Sequence, residues 1–216
     1  KFILANCKSG QRKMGVDMGS RILFNKLQRQ HPLIKSDLVT MIDDPLFHSD
    51  TGYQVLYNNV RELLAYNHKV ITLGGDHSIS IGSVSAFFDI YRKNGTVVWV
   101  DAHADINTHD TSTTGNLHGM PVSSIFHLME PIIQSDYKPS FDQLIYVGLR
   151  SIDPPEQQIL EKHNILYFDT TKIQQQGIDS VVEQVVQNTK QNVHLSFDID
   201  SLDPSLTPAT GTPEDN

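Results

Sequence analysis

The apolar run at residues 96–100 breaks without a linker into Asp101-Ala-His103-Ala-Asp105. An uncharged stretch of Val and Trp reads as a strand buried on both faces, the kind that parallel sheets contain. Residues two apart on a strand share a face. Three cation-binding side chains are therefore set on one side of the place where this strand must end. Free carboxylates there are costly to bury. Asp and His are ligands of hard and borderline divalent cations, and such a cation removes the cost.

Around this stretch, strand and helix patterns alternate. Strand-like runs at 2–7, 38–42, 69–73, 143–149, 165–168 and 193–197 are interleaved with helical periodicity at 18–30, 53–67, 78–92, 120–129 and 178–190. Pro32 closes the first helix, and Pro154-Pro-Glu156 opens another, where proline is tolerated in the first turn. This alternation predicts an α/β fold with a mostly parallel central sheet and helices on both faces. With no internal repeat, low-complexity segment or linker, 216 residues suit a single domain.

Charge and cysteine usage narrow the function. A net charge of −8 with no Lys/Arg-rich run argues against a nucleic-acid partner. No apolar stretch approaches bilayer-spanning length, so no membrane partner is expected. Cys7 is the only cysteine and cannot form an internal disulfide, which favours a reducing compartment such as the cytoplasm.

Three strands end in the same manner. The run to Leu73 is followed by Gly74-Gly-Asp-His77, the run to Val100 by Asp101-Ala-His103-Ala-Asp105, and the run to Phe197 by Asp198-Ile-Asp200. Ligands of open α/β sheets bind outside the carboxyl ends of the strands. If these strands are parallel neighbours, His77, Asp101, His103, Asp105, Asp198 and Asp200 converge. Six ligands, four of them carboxylates, exceed the needs of one four-coordinate ion. Two cations bridged by carboxylates and a solvent oxygen fit better, and the bridging water becomes a nucleophile near neutral pH. Oxygen-rich ligation with two imidazoles and no thiolate favours Mn2+ over a structural zinc site, with Co2+, Fe2+ and Zn2+ as alternatives. The chemistry expected is metal-assisted hydrolysis.

Gly74-Gly-Asp-His-Ser78, Asp101-Ala-His-Ala-Asp-Ile-Asn107, Gly115-Asn-Leu-His-Gly119 and Ser196-Phe-Asp-Ile-Asp-Ser-Leu-Asp-Pro204 resemble the ureohydrolase family. Within it, Gly148-Leu-Arg-Ser-Ile-Asp-Pro154 and Thr207-Pro-Ala-Thr-Gly-Thr-Pro213 are similar to the arginase branch. The resemblance implies a three-layer α/β/α fold, two manganese ions per subunit, and hydrolysis of L-arginine to L-ornithine and urea by a metal-bridging hydroxide. It implies one ion on His77, Asp101, Asp105 and Asp198, and the other on Asp101, His103, Asp198 and Asp200. Asp105 would take the hydroxide proton, and His118 would act as the proton shuttle. Asn107 and the Thr114, Gly115 and Asn116 segment match positions that bind the α-carboxylate, and Asp153 the position for the α-amino group. Thr212 falls at a binding position. Glu156 either supports the amino group through water or is an exposed helix-start residue.

Thr114 stands where serine is commoner, with the hydroxyl retained. His31, His48, His68, His109, His127, His163 and His194 are given no role. The resemblance also implies a homo-oligomer, a trimer, and further strands, helices and a guanidinium-binding glutamate beyond Asn216. Two other readings compete. One is agmatinase or another ureohydrolase, and the other is a metal-binding, non-catalytic relative.

Overall fold

The structure is a computed structural model that describes residues 1–35 and 38–214. The described residues form seven strands, β1 (Phe2–Asn6), β2 (Val39–Asp43), β3 (Ile71–Gly74), β4 (Gly95–Val100), β5 (Leu144–Leu149), β6 (Leu166–Asp169) and β7 (Asn192–Phe197). All their pairings are parallel, as the Val- and Ile-rich runs predict. The helices are α1 (Gly19–Gln30), α2 (Thr51–Ala65), α3 (Ser80–Tyr91), α4 (Pro121–Ile125), α5 (Pro154–Lys162), α6 (Thr170–Gln176) and α7 (Ile178–Asn188).

The strands pair in two groups, ordered β2-β1-β3 and β6-β5-β4-β7. Among the described residues no backbone ladder joins β3 to β7, so the single sheet expected from sequence is present as two parallel ladders. Their tips still meet, because His77, just past β3, bonds Ser196 on β7 at 2.8 Å. No helix among the described residues is long and apolar enough to cross a membrane.

Alternation within a strand sets the layers. On β5, Leu144 and Tyr146 join Val84, Phe88, Val122 and Leu160 in one apolar cluster, which covers one face with α3, α4 and α5. Ile145 points the other way and packs with Phe168 and Val181. That second face belongs to α6 and α7, whose Ile173 and Val185 pack against the same cluster. Around the other ladder, Ile3 and Ala5 pack with Leu56 and Val60 of α2. Phe2 instead meets Phe24 of α1 edge-on at 5.2 Å. Each fully buried Leu or Phe of this kind contributes roughly 1.5–3 kcal/mol.

Two elements differ from the sequence expectation. The helix expected over 120–129 stops at Ile125, because His127 adopts a left-handed φ of 57° and α-helix cannot continue through it. A short helix, α6, occupies a stretch where none was expected. It is capped by Asp169, whose carboxylate accepts the Lys172 amide at 2.7 Å.

Candidate metal centre

Strand register aligns the three chemical tips. Val100 of β4 is opposite Val147 of β5 on one side and Phe197 of β7 on the other. The next residues continue the ladder, with the Asp101 amide on the Val147 carbonyl at 3.1 Å and the Asp198 amide on the Val100 carbonyl at 2.9 Å. Asp101 and Asp198 therefore leave neighbouring strands at the same level.

The third tip needs its glycines. A Cβ on Gly75 would sit 1.7 Å from the Cys7 carbonyl oxygen, so only glycine lets the end of β3 lie against the end of β1. Asp76 then caps the following turn by accepting the Ser78 amide at 3.0 Å. His77 is delivered between these fixed points.

The imidazole Nδ1 of His77 lies 3.0 Å from Asp101, 3.0 Å from Asp105 and 3.1 Å from Asp198. It is buried and makes an acceptable hydrogen bond to none of them. Its Nε2 is taken by Ser196. A ring nitrogen surrounded by three carboxylate oxygens, yet bonded to none, is aimed at a shared centre. That arrangement fits a divalent cation. A second group forms beside it, with His103 Nδ1 3.1 Å from Asp200 and 3.6 Å from Asp101. Candidate ligand atoms fall into two sets, His77 with Asp101 and Asp198, and Asp101 with His103 and Asp200. Asp101 belongs to both, as a bridging carboxylate must. Asp198, to which the resemblance gives the same bridging role, groups with the first set only.

The electrostatics of these side chains point the same way. Burial opposes a charge on His77, but the carboxylates of Asp101, Asp105 and Asp198 outweigh it and raise the imidazole well above its usual range. Burial likewise opposes a charge on His103, and the neighbouring Asp101 and Asp200 carboxylates push it up to about 12. Burial raises Asp101, partly offset by the two imidazoles beside it. Burial and the Asp101 charge raise Asp105 well above the carboxylate range. Asp200 moves the other way, to about 2, because bonds from His103 and Thr212 outweigh its burial. The cluster thus holds more carboxylate than its own cations can balance, and protons and imidazolium charge are drawn in. Divalent cations would serve that need.

The backbone at the β4 tip is set for the same purpose. Asp101 accepts the His103 amide at 2.8 Å and the Trp99 indole N–H at 2.9 Å. Asp105 is a non-glycine residue at φ 51°. Such a conformation persists only when its surroundings over-determine it. Past β7, Asp200 accepts the Thr212 hydroxyl at 2.6 Å and the Ala102 amide at 3.3 Å.

A cleft of about 240 Å³ opens onto the cluster and is lined by His103, Asp105, Asn107, Thr114, Asn116, His118, Asp153, Glu156, Asp198, Asp200 and Thr212. Of the residues predicted from sequence, Asp101, His77 and Gly115 do not line it. The first two lie beneath it among the candidate ligands. Gly115 sits in the loop at φ 68°, its amide on the Ser112 hydroxyl at 3.1 Å. Asn107 donates to Asp153 at 3.0 Å and accepts from Thr111 at 2.8 Å, which fixes its amide orientation. Burial lowers the pKa of His118, so its imidazole is neutral at neutral pH.

Glu156 is not an exposed helix-start residue. It is buried and accepts the backbone amides of Ile106 at 3.1 Å and Asp153 at 3.0 Å. The second bond completes a capping box with Asp153 at the start of α5. Thr212 donates its hydroxyl to a candidate ligand, Asp200.

Sequence reasoning missed several partners. Trp99 and Ser196 each sit two residues before a candidate ligand aspartate, so period-two reading could have found them. Arg150 and Glu214 gave no comparable signal. The Arg150 guanidinium donates to the carbonyls of Asp200 at 2.6 Å, Ser201 at 3.1 Å and Leu202 at 3.3 Å. Glu214 lies 3.3 Å from His103 Nε2.

The Arginase family profile matches residues 2–216. The chain belongs to the arginase family. It is 38% identical to "Arginase-2, mitochondrial" of Oryctolagus cuniculus, over 94% of this chain and 65% of that protein. It is 37% identical to "Arginase-1" of Homo sapiens, over 98% of this chain and 74% of that protein. Among solved structures, the arginase of Entamoeba histolytica in complex with L-ornithine superposes with a TM-score of 0.90 at 29% identity. That match covers 99% of this chain and 80% of the other. The arginase of Bacillus subtilis gives 0.87 at 30% identity, covering 100% of this chain and 79% of that one. The chain therefore spans about two thirds of the first arginase relative and about four fifths of the solved arginases.

Proposed function

We propose that the protein hydrolyses L-arginine to L-ornithine and urea on a centre of two manganese ions. The observation that carries this reading is the orphaned His77 Nδ1 among three carboxylates, next to a second His–Asp group that shares Asp101. His77, Asp101, Asp105 and Asp198 would hold one ion, and Asp101, His103, Asp198 and Asp200 the other. Divalent cations held there lower the pKa of solvent and so supply a nucleophile near neutral pH.

The chain's own residues do the rest. Asp105 faces the cleft and takes a proton at its carboxylate. It returns that proton to the departing nitrogen. His118, neutral and on the cleft wall, exchanges protons between the site and solvent. Asn107 with the Thr114, Gly115 and Asn116 loop binds the substrate α-carboxylate, and Asp153 binds the α-amino group. The Asn107–Asp153 hydrogen bond holds these two contacts in register. The same reading makes the protein a cytoplasmic homo-oligomer, a trimer by family resemblance.

Agmatine lacks the α-carboxylate, and a site built to bond a group discriminates against analogues without it. Turnover of L-arginine and agmatine by the full-length, manganese-loaded protein tests the assignment. Urea released faster from arginine supports it, and a clear preference for agmatine reverses it.

A further inference from the structure

The Asp76 carboxylate lies beside His77 but belongs to neither group of ligand atoms. It is buried, and both of its oxygens are occupied. Oδ1 accepts the Ser78 amide at 3.0 Å. Oδ2 accepts the Gly10 amide at 2.9 Å, and the Cys7 thiol lies 3.6 Å from it. The same Gly10 residue accepts the His118 amide on its carbonyl oxygen at 3.0 Å. One residue of the loop that follows β1 thus joins Asp76 on one side to His118 on the other. The approach is close enough to require glycine. A Cβ on Gly10 would lie 2.4 Å from Asp76 Oδ1 and 2.6 Å from Ser78 Oγ.

We propose that Asp76 is a positioning residue for His118, acting through the Gly10 backbone and not through the metal ligands. This rests on the proton-transfer role given to His118 above. His118 sits in a single 3-10 turn, Leu117–Gly119, with no side-chain cap. So short a turn does not define its own position, and the Gly10 carbonyl fixes its height above the cleft. The Asp76 carboxylate in turn fixes Gly10. An acceptor on both sides is needed, because Gly10 and Ser78 each present an N–H. An amide in place of the carboxylate must turn its NH2 toward one of them and lose that bond.

The test is the Asp76→Asn variant of the full-length, manganese-loaded protein, read in two ways. In amide hydrogen exchange, peptides covering 8–15 and 116–120 should exchange at least about tenfold faster, while those from β4 hold their rate. In steady-state assays kcat should fall about 10- to 100-fold, as small misplacements of a reacting group do. KM should stay within about twofold and metal content should be unchanged. Unchanged exchange at 116–120, an unchanged kcat, or a kcat lost only in proportion to manganese overturns the proposal. If Asp76→Asn fails to fold, Gly10→Ala breaks the same link from the other side and is judged by the same readouts. A wild type that releases no urea sinks the functional reading alone, and the exchange experiment then decides whether Asp76 holds the His118 turn.

Discussion

The indole of Trp99 stacks on the imidazole of His77 with ring centroids 4.3 Å apart, and its N–H reaches the Asp101 carboxylate. One aromatic side chain thus fixes two candidate ligands, one by its face and one by its edge. Trp99 is also the only tryptophan in the chain. Its fluorescence should therefore change when a chelator removes the metal and recover on adding Mn2+. Replacing Trp99 with Phe keeps the stacking surface but deletes the N–H donor. Loss of such a ligand-orienting bond weakens metal affinity about 10- to 100-fold. Isothermal titration with Mn2+ measures it, and an unchanged affinity rules out that role.

Asn107 should decide between substrates. Its amide is locked between Thr111 and Asp153 and faces the cleft. Asn107→Ala should raise KM for L-arginine by roughly tenfold or more, the scale of one lost hydrogen bond to a charged group. Agmatine turnover should change little. Equal losses on both substrates would place Asn107 outside the amino-acid contact.

Glu156 should matter to stability as well as to binding. Glu156→Ala leaves the Ile106 and Asp153 amides without their acceptor and removes a capping box. A destabilisation of about 1–3 kcal/mol follows. Urea-induced unfolding of the variant against wild type measures it.

His194 should impose a pH dependence on stability. Its ring meets Phe87 at 5.5 Å. Burial there, with a smaller contribution from the charge of His77, lowers its pKa to about 4. An unfolded histidine titrates near 6.5. Between these values the unfolded chain binds a proton that the folded chain refuses. Stability is thus complete above about pH 6.5 and falls as pH drops toward 4, by up to about 1.4 kcal/mol per unit. His194→Phe should flatten that slope in denaturant titrations across pH 4–7, and an identical slope in the variant would rule the account out.

Much of this was legible from residues alone because the metal-site chemistry is local. The Asp and His residue types and the repeated strand-to-ligand junctions need only the parallel-sheet rule, whereas β4 ends at Val100 and Asp105 reaches the site through a left-handed φ of 51°, which period-two reading does not give. What escaped was set by tertiary context. Helix α6 has the sequence Thr-Thr-Lys-Ile-Gln-Gln-Gln, with one apolar residue and hence no stripe to read; it exists because Asp169 caps it and Ile173 packs against the sheet. Glu156 looks like any helix-start acid until the chain brings Ile106 to it from 50 residues away. Arg150 sits in a recognisable motif, but its carbonyl partners at 200–202 are invisible before folding. The split of the strands into two ladders also left no mark in the periodicity.

In the proposed centre Asp101 is shared by two metal sites that together perform the hydrolysis. Manganese content and urea release from L-arginine, measured on the same full-length preparation for wild type and Asp101→Ala, test it most directly. Two manganese ions per chain with urea release in the wild type, and loss of both metal and activity in Asp101→Ala, is the predicted result. A manganese-loaded wild type that releases no urea, or an Asp101→Ala variant that keeps both ions and full activity, would contradict it.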